Sequence, residues 1–422
     1  MTQRTVLFPS SHSATNTRFT LPRIAGGALL TQRLDLELHT TAVGQVATDV
    51  EAQWLARVGA FGIIDTVEIF RNGTLLSTIG PQAGQMAAIN VCTLSPDAAE
   101  RFEVQTQGAF ALQVNQMGDV PIYDNAAPGG VPADVLPTVG GSALIASSFG
   151  AGLQTTIGES NPVLPLNFLL ALFAANPVFP LDDQIDIVIT YDLTQFNSGG
   201  NAGITLDNTA QPRLYIETVA ATAKKVSIAP WFERVHTVAT LPALGAGSSD
   251  SNSIQVRIVN KNILGLFGLV QDPTADRNAL FSRRATLGCG LSLTLNPGPV
   301  TQLNVTINGT QLYPRPISTP ADQLREFALA LNSDYISIPN SGGARGSTFL
   351  PANNADTTLS AGTSSPISAL AGALSYIGFD CRRNGGTVDV DNQGVYFNIN
   401  RTTVEAVDAL EVHVWALCIA VA

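Results

Sequence analysis

Two stretches of this chain, 236 residues apart, are written to one pattern. Ile63–Leu76 runs IIDTVEIFRNGTLL and Val300–Leu312 runs VTQLNVTINGTQL. Aligning Asn72-Gly73-Thr74 on Asn308-Gly309-Thr310 sets Val67 on Leu303, Ile69 on Val305 and Leu76 on Leu312. Apolar and polar residues alternate up to an Asn-Gly pair in both copies. A period of two marks a half-buried strand, and Asn-Gly supplies the positive φ angles of a tight hairpin. One such hairpin is common in β proteins. Two at a spacing of half the chain constrain far more, because they make the molecule one β-domain written twice.

The remaining strand signals agree. Leu34, Leu36 and Leu38 alternate with Asp35 and Glu37, Ile185–Tyr191 (IDIVITY) is apolar on both faces, and Ala409–Val421 ends the chain as a long apolar run. Trp231–Ala239, Ile254–Val259 and Ile263–Val270 are further expected strands, as is the alternating Phe102–Val114. Gly245–Ser253 is expected to be a turn, and Leu324–Leu331 fits a short helix or a strand. Gly118–Gly152 and Ser341–Pro366 are Gly-, Pro- and Ser-rich excursions, expected as contact loops. With 422 residues the chain divides into an N-terminal arm over 1–22, a first jelly roll over 23–222 and a second over 223–422. The expected fold class is all-β: two consecutive eight-stranded jelly rolls, or comparable sandwiches, with long loops and a few short helices.

Charge narrows the partners. A formal net charge of −11 argues against sequence-specific nucleic-acid binding, which needs clustered Lys and Arg. The exception is local: residues 1–34 hold Arg4, Arg18, Arg23 and Arg33 and no acid. Arg4, Arg18 and Arg23 are therefore candidates for facing an anionic surface, with a solvated terminus as the plainer alternative. Charged residues make up only 13% of the chain, against roughly 25% in an average globular protein, which suits a surface covered by neighbours.

The catalytic search finds little. His12, His39, His236 and His413 form no metal-binding spacing, and no Gly-x-Ser-x-Gly or phosphate-loop pattern occurs. Cys92, Cys289, Cys381 and Cys418 lack metal-ligand spacing as well; Cys418 is expected to be a buried thiol. Asp182, Asp183 and Asp186, and Asp380, Asp389 and Asp391, are either solvated turn acids or oxygen ligands for calcium. No pair of carboxylates is singled out for glycoside hydrolysis. No enzyme and no cofactor are expected. The N-terminus lacks a signal-peptide core and no apolar run reaches membrane-spanning length, so a soluble, cytosolically made chain is expected. The sequons at Asn72, Asn304, Asn308 and Asn400 then fit strand and turn chemistry.

Several short passages resemble a known family. Pro165-Leu166-Asn167-Phe168, then Asn176-Pro177, then Phe179-Pro180-Leu181 ahead of Ile185–Tyr191, are similar to a passage in the double jelly-roll major capsid proteins of tailless icosahedral viruses. That lineage takes in adenovirus-like viruses, lipid-containing phages, large DNA viruses and virophages. Phe232-Glu233-Arg234-Val235 resembles the segment opening the family's second jelly roll, and Asn262–Gln271 (NILGLFGLVQ) the strand after it. Val300–Leu312 and Asp408–Val421 resemble later strands. The chain departs from many members at Leu169 and Leu170, where they carry aromatic residues. The resemblance implies a structural subunit of a virion shell, made in the host cytoplasm. It implies partners too: two further copies in a pseudo-hexameric trimer, neighbouring capsomers, minor capsid and penton proteins, and an internal membrane reached through Arg4, Arg18 and Arg23. The alternative is a β-sandwich carbohydrate-binding or adhesin module.

Overall fold

The computed structural model describes residues 2–43, 59–91, 101–102, 105–106, 108, 161–194, 203–206, 211–220, 226–258, 261–271, 300–330, 376–382, 388–391, 393–402 and 409–421. Strands and helices are numbered in chain order. In the second half, one sheet runs β14 (Trp231–Leu241), β22 (Leu410–Ala420), β16 (Asn262–Gln271) and β19 (Tyr376–Asp380), with β20 (Val388–Asp389) continuing β19 along β16. The other runs β15 (Ser249–Val256), β21 (Val395–Thr402), β17 (Val300–Ile307) and β18 (Thr310–Gln311). Taken in sequence order within the half, the first strand pairs the last, the last pairs the third, and the third pairs the sixth. The second pairs the seventh, the seventh the fourth, and the fourth the fifth. That is the jelly-roll order.

The first half repeats it. Its outer sheet sets β1 (Thr2–Leu7) against β13 (Arg213–Val219), then β4 (Ala28–Leu30) and β5 (Asp35–Glu37), then β9 (Val163–Pro165) and β10 (Val178–Pro180). Its inner sheet runs β2 (Ser11–His12), β3 (Asn16–Thr20), β11 (Ile185–Tyr191), β7 (Ile64–Arg71) and β8 (Thr74–Ile79). A separate ribbon pairs β6 (Thr40–Val43) with β12 (Gly203–Leu206). Two strands are broken in this half. A 3-10 turn at Thr31–Arg33 parts β4 from β5, and the buried Thr31 hydroxyl lies 2.8 Å from the Phe173 carbonyl and 2.9 Å from that of Asn176. Helices α2 (Leu166–Leu169) and α3 (Ala171–Ala175) part β9 from β10, where Pro165 and Pro177 bracket the break and have no N–H to give a ladder.

The two Asn-Gly repeats are the same hairpin in the two halves. Asn72 and Gly73 have φ of 50° and 78°; Asn308 and Gly309 have 51° and 74°. Arg71 pairs Thr74 across the first turn and Ile307 pairs Thr310 across the second, so the alignment in sequence is also the alignment in register. One cross-strand row shows how deep the likeness goes. Phe19, Ile187 and Ile69 lie side by side in the first half; Ile254, Phe397 and Val305 take the same places in the second. All six are buried. Each such side chain stabilises the fold by about 2 kcal/mol. A one-residue slip would turn a whole row outward, which is why the register is unique.

Three expectations need correction and one open choice is decided. Residues 1–22 are not a separate arm: Thr2–Leu7 pairs with Val219–Leu214 and Asn16–Thr20 with Thr190–Asp186, so this segment supplies strands to both sheets. Phe102, Gln105 and Thr106 are helical where a strand is expected, and Phe102 stacks on Phe61 at 5.7 Å. Ser249–Asn252, expected as a turn, belongs to β15, where Ser251 and Ser253 donate to Asn400 and Asn398 at 2.7 Å each. Of the segment left open between helix and strand, Leu324–Ala330 lies within helix α4 (Pro320–Ala330), and Thr319 caps that helix through the N–H of Asp322 at 3.2 Å. Gly118–Gly152, Ser341–Pro366, Cys92, Cys289 and the boundary near residue 222 lie outside the described residues.

Candidate assembly surface

The halves of the chain meet along the first strand of the second half. Helix α1 (Ala83–Val91) follows β8 and ends at the interface. There Asn90 donates to the Phe168 carbonyl at 2.7 Å and accepts from Arg234 Nη2 at 2.5 Å. Burial drops the Arg234 guanidinium to about 10, because the charged form loses hydration without a facing carboxylate. Ser77–Ile79 and Leu169–Ala171 from the first half line a crevice with Phe232–Arg234 from the second. A second clamp is Asn176, which is buried. Its Nδ2 donates to Leu172 at 2.9 Å and to Ala229 at 3.3 Å, and its Oδ1 accepts from the Ala229 N–H at 2.6 Å. This one amide closes the end of α3 and holds the segment that enters β14.

Farther along β14, His236 lies flat against Trp415 at 4.9 Å and His413 at 5.3 Å. His236 Nε2 and His413 Nδ1 are 3.1 Å apart, so one ring donates and the other accepts. Desolvation pulls His236 down to about 4 and keeps it neutral. Glu233, in the Phe232–Val235 motif, pairs with Lys261 at 3.1 Å.

The corresponding strands of the first half carry a different face. Arg4 on β1 and Arg33 both approach Glu217 on β13, at 3.4 and 3.3 Å. Tyr215 donates to Glu37, which also meets His39 at 3.1 Å. Asp35 is pushed up by partial burial, which outweighs the opposing pull of Arg33. These side chains, apart from His39, line an open groove of about 540 Å³ together with Thr5, Val6, Val163 and Ile216. Val6 is 41% and Phe8 64% exposed, so apolar surface continues past the groove's rim.

The three arginines singled out from sequence do not form one basic patch. Arg4 lies in the outer sheet. Arg18 lies in the inner one and binds Asp186 at 2.8 Å, which also accepts from Thr20 and Gln184. Arg23 donates to the Asp182 carbonyl at 2.6 Å. Nor do the two aspartate groups converge as cation cages. Asp183 accepts from Asn72 at 2.9 Å and from Arg71, and these two donors hold its carboxyl below the usual range. Asn308 donates to the Asp389 carbonyl at 2.8 Å and accepts from the Asp391 N–H at 3.0 Å. Both acid groups therefore anchor the repeated hairpin to the loop ahead of the seventh strand. Asp380 pairs with Arg382. Among the described residues, no group of three or more His, Cys, Asp or Glu side chains could share a metal ion. Cys381 and Cys418 are buried thiols, and burial pushes Cys418 up to about 11.

Sequence reasoning missed Arg401. Its side chain is fully buried, forks onto Asp250 and donates to the Pro242 carbonyl at 2.8 Å. It sits in an Asn-Arg-Thr sequon that drew attention to Asn400. The signal that was available is an arginine on the inward parity of β21, in line with Phe397 and Ile399.

Three solved structures match nearly the whole chain. The Faustovirus major capsid protein aligns at a TM-score of 0.52 and 11% identity, over 100% of this chain and 90% of its own. PBCV-1 VP54, in a structure fitted into a reconstruction of the virophage Sputnik, aligns at 0.51 and 9%, over 99% and 94%. A chain of the Sputnik virophage aligns at 0.51 and 12%, over 99% and 85%. No protein-family model and no curated protein matches. At these identities the likeness is one of fold: the chain is a double jelly roll, and its structural neighbours are viral major capsid proteins.

Proposed function

We propose that this chain is a viral major capsid protein, a building block of an icosahedral shell whose work is assembly and not catalysis. One observation carries the proposal: both halves have the same strand order and the same hairpin, and a major capsid protein matches them end to end. Two equivalent barrels per chain suit a trimer with six similar sides, which can occupy a hexagonal lattice position. The partners under this proposal are two further copies, neighbouring capsomers, and minor proteins at the vertices. The interior-facing role expected for Arg4, Arg18 and Arg23 is not part of the proposal, since their donors serve the chain's own acceptors on two different sheets.

Light scattering after size exclusion tests the proposal. A species at three times the 44.2 kDa chain is expected, with larger assemblies on concentration. A monomer at every concentration would overturn it and favour the carbohydrate-binding module.

A further inference from the structure

Arg401 and Arg382 each set their charge against an aspartate, Asp250 and Asp380. Arg234, at the seam between the halves, does not. Its Nη2 donates to the neutral Asn90 amide at 2.5 Å. The residue as a whole is half-buried, yet its Nε and Nη1 are shut off from solvent, and among the described residues neither has an acceptor. Desolvation is what acts on its charge, pulling it down to about 10. The nearest acid along the strand, Glu233, projects from the opposite face of β14 and is paired with Lys261 at 3.1 Å. A buried cation without a counter-charge and two unmet N–H groups are both costly to keep.

The crevice that Arg234 lines has the size and chemistry to relieve that cost. Ser77–Ile79 and Leu169–Ala171 of the first half close it against Phe232–Arg234, and its volume is about 10 Å³. That is room for about one water-sized body and for no polyatomic anion. Leu169, Leu170, Ala171 and Phe232 bring no acceptor side chain to it. β8 is the edge strand of its sheet, so alternate main-chain groups of Ser77–Ile79 point toward the seam. Phe232 is 46% exposed, which leaves the crevice a way to bulk solvent.

We infer that this crevice is a binding site for a single monatomic anion, chloride in ordinary media, held by the Arg234 guanidinium where the two halves of the chain meet. A water molecule there would satisfy an N–H group and leave the charge unmatched, whereas a halide does both. Sulfate and phosphate are too large for the space. Residues of both halves surround the ion, so its binding adds to the contact that holds them together. The inference stands apart from the capsid proposal, since it needs no second copy of the chain.

Calorimetric melting of the full chain at constant ionic strength tests it, with sodium gluconate replaced stepwise by sodium chloride or sodium bromide. The melting temperature of the parent should rise by roughly 1–2 °C for each tenfold of halide once the site begins to fill. Arg234→Met keeps the apolar stem and removes the charge, and it should lose that slope. Equal slopes in the parent and the folded variant would mean that halide acts on the surface at large, and would overturn the site. A parent that melts alike in gluconate and in halide would overturn it too. If Arg234→Met fails to fold, the parent decides the matter by diffraction. Crystals soaked in bromide should show an anomalous peak within hydrogen-bond reach of Arg234 Nε or Nη1. Water density at that place with no anomalous signal would overturn the inference.

Discussion

His236 shows how burial sets chemistry at a single residue. Packed against two aromatic rings, it is neutral in the folded chain down to about pH 4, while its unfolded value is 6.5. Between those values the unfolded state holds the extra proton. Stability therefore rises with pH through that window, is lost as pH falls from 6.5 toward 4, and levels off below. At about 1.4 kcal/mol per unit the span is worth about 3 kcal/mol at most. The groups facing it are His413 and, behind that ring, Glu411 at 3.5 Å. Urea midpoints measured from pH 4 to 7 should slope in the parent and flatten in His236→Phe, which keeps the stack and removes the titrating nitrogen. Equal slopes in both would place the dependence elsewhere.

At the scale of elements, glycine separates what a turn needs from what packing needs. Gly73 and Gly309 occupy the same turn position with positive φ, so alanine at either costs about 1 kcal/mol in backbone strain. A β-carbon at Gly73 meets nothing within 4 Å, whereas one at Gly309 comes 2.5 Å from Gln393 Oε1, a flexible tip that can move. Gly378 on β19 is different. There a β-carbon would lie 2.7 Å from the Phe327 backbone, so alanine must push α4 off the sheet. Overpacking of that kind costs about 1–3 kcal/mol. Denaturant titration should rank Gly378→Ala as the most harmful, Gly309→Ala next and Gly73→Ala the mildest. A Gly378→Ala variant milder than Gly73→Ala would show that α4 does not pack so closely.

For the whole molecule, the question is whether two similar barrels behave as one unit. Their buried apolar residues form one continuous cluster, and Asn176 and Asn90 tie the halves together by hydrogen bonds. A single calorimetric transition is expected for the parent. Asn176→Ala leaves the Ala229 N–H and two carbonyls without their partner, at about 1–3 kcal/mol. Its melting temperature should drop, and the transition should broaden or split as the halves uncouple. An unchanged melt would mean that apolar contact alone joins them.

Alternation and turn chemistry are local, and they reach the reader directly from the residues. The buried row through Ile69 and Val305, the inward Leu34, Leu36 and Leu38, and the two Asn-Gly turns all follow from period and φ alone. The duplication follows too, since equal hairpins impose equal patterns. The assembly surface does not. Arg4 and Arg234 are both arginines on a first strand, yet Arg4 is open and Arg234 is half-buried against Asn90, and nothing in their neighbourhoods along the chain tells them apart. The aspartate groups looked like candidate cation ligands because sequence places acids together without placing their partners; Asn72 reaches Asp183 from 111 residues away. The Asn90 amide at the end of helix α1 reaches Arg234 from the first half, whereas among the described residues none of the second half lines the groove beside Arg4. Burial is a property of what arrives from elsewhere in the chain, so only the packed structure could assign it.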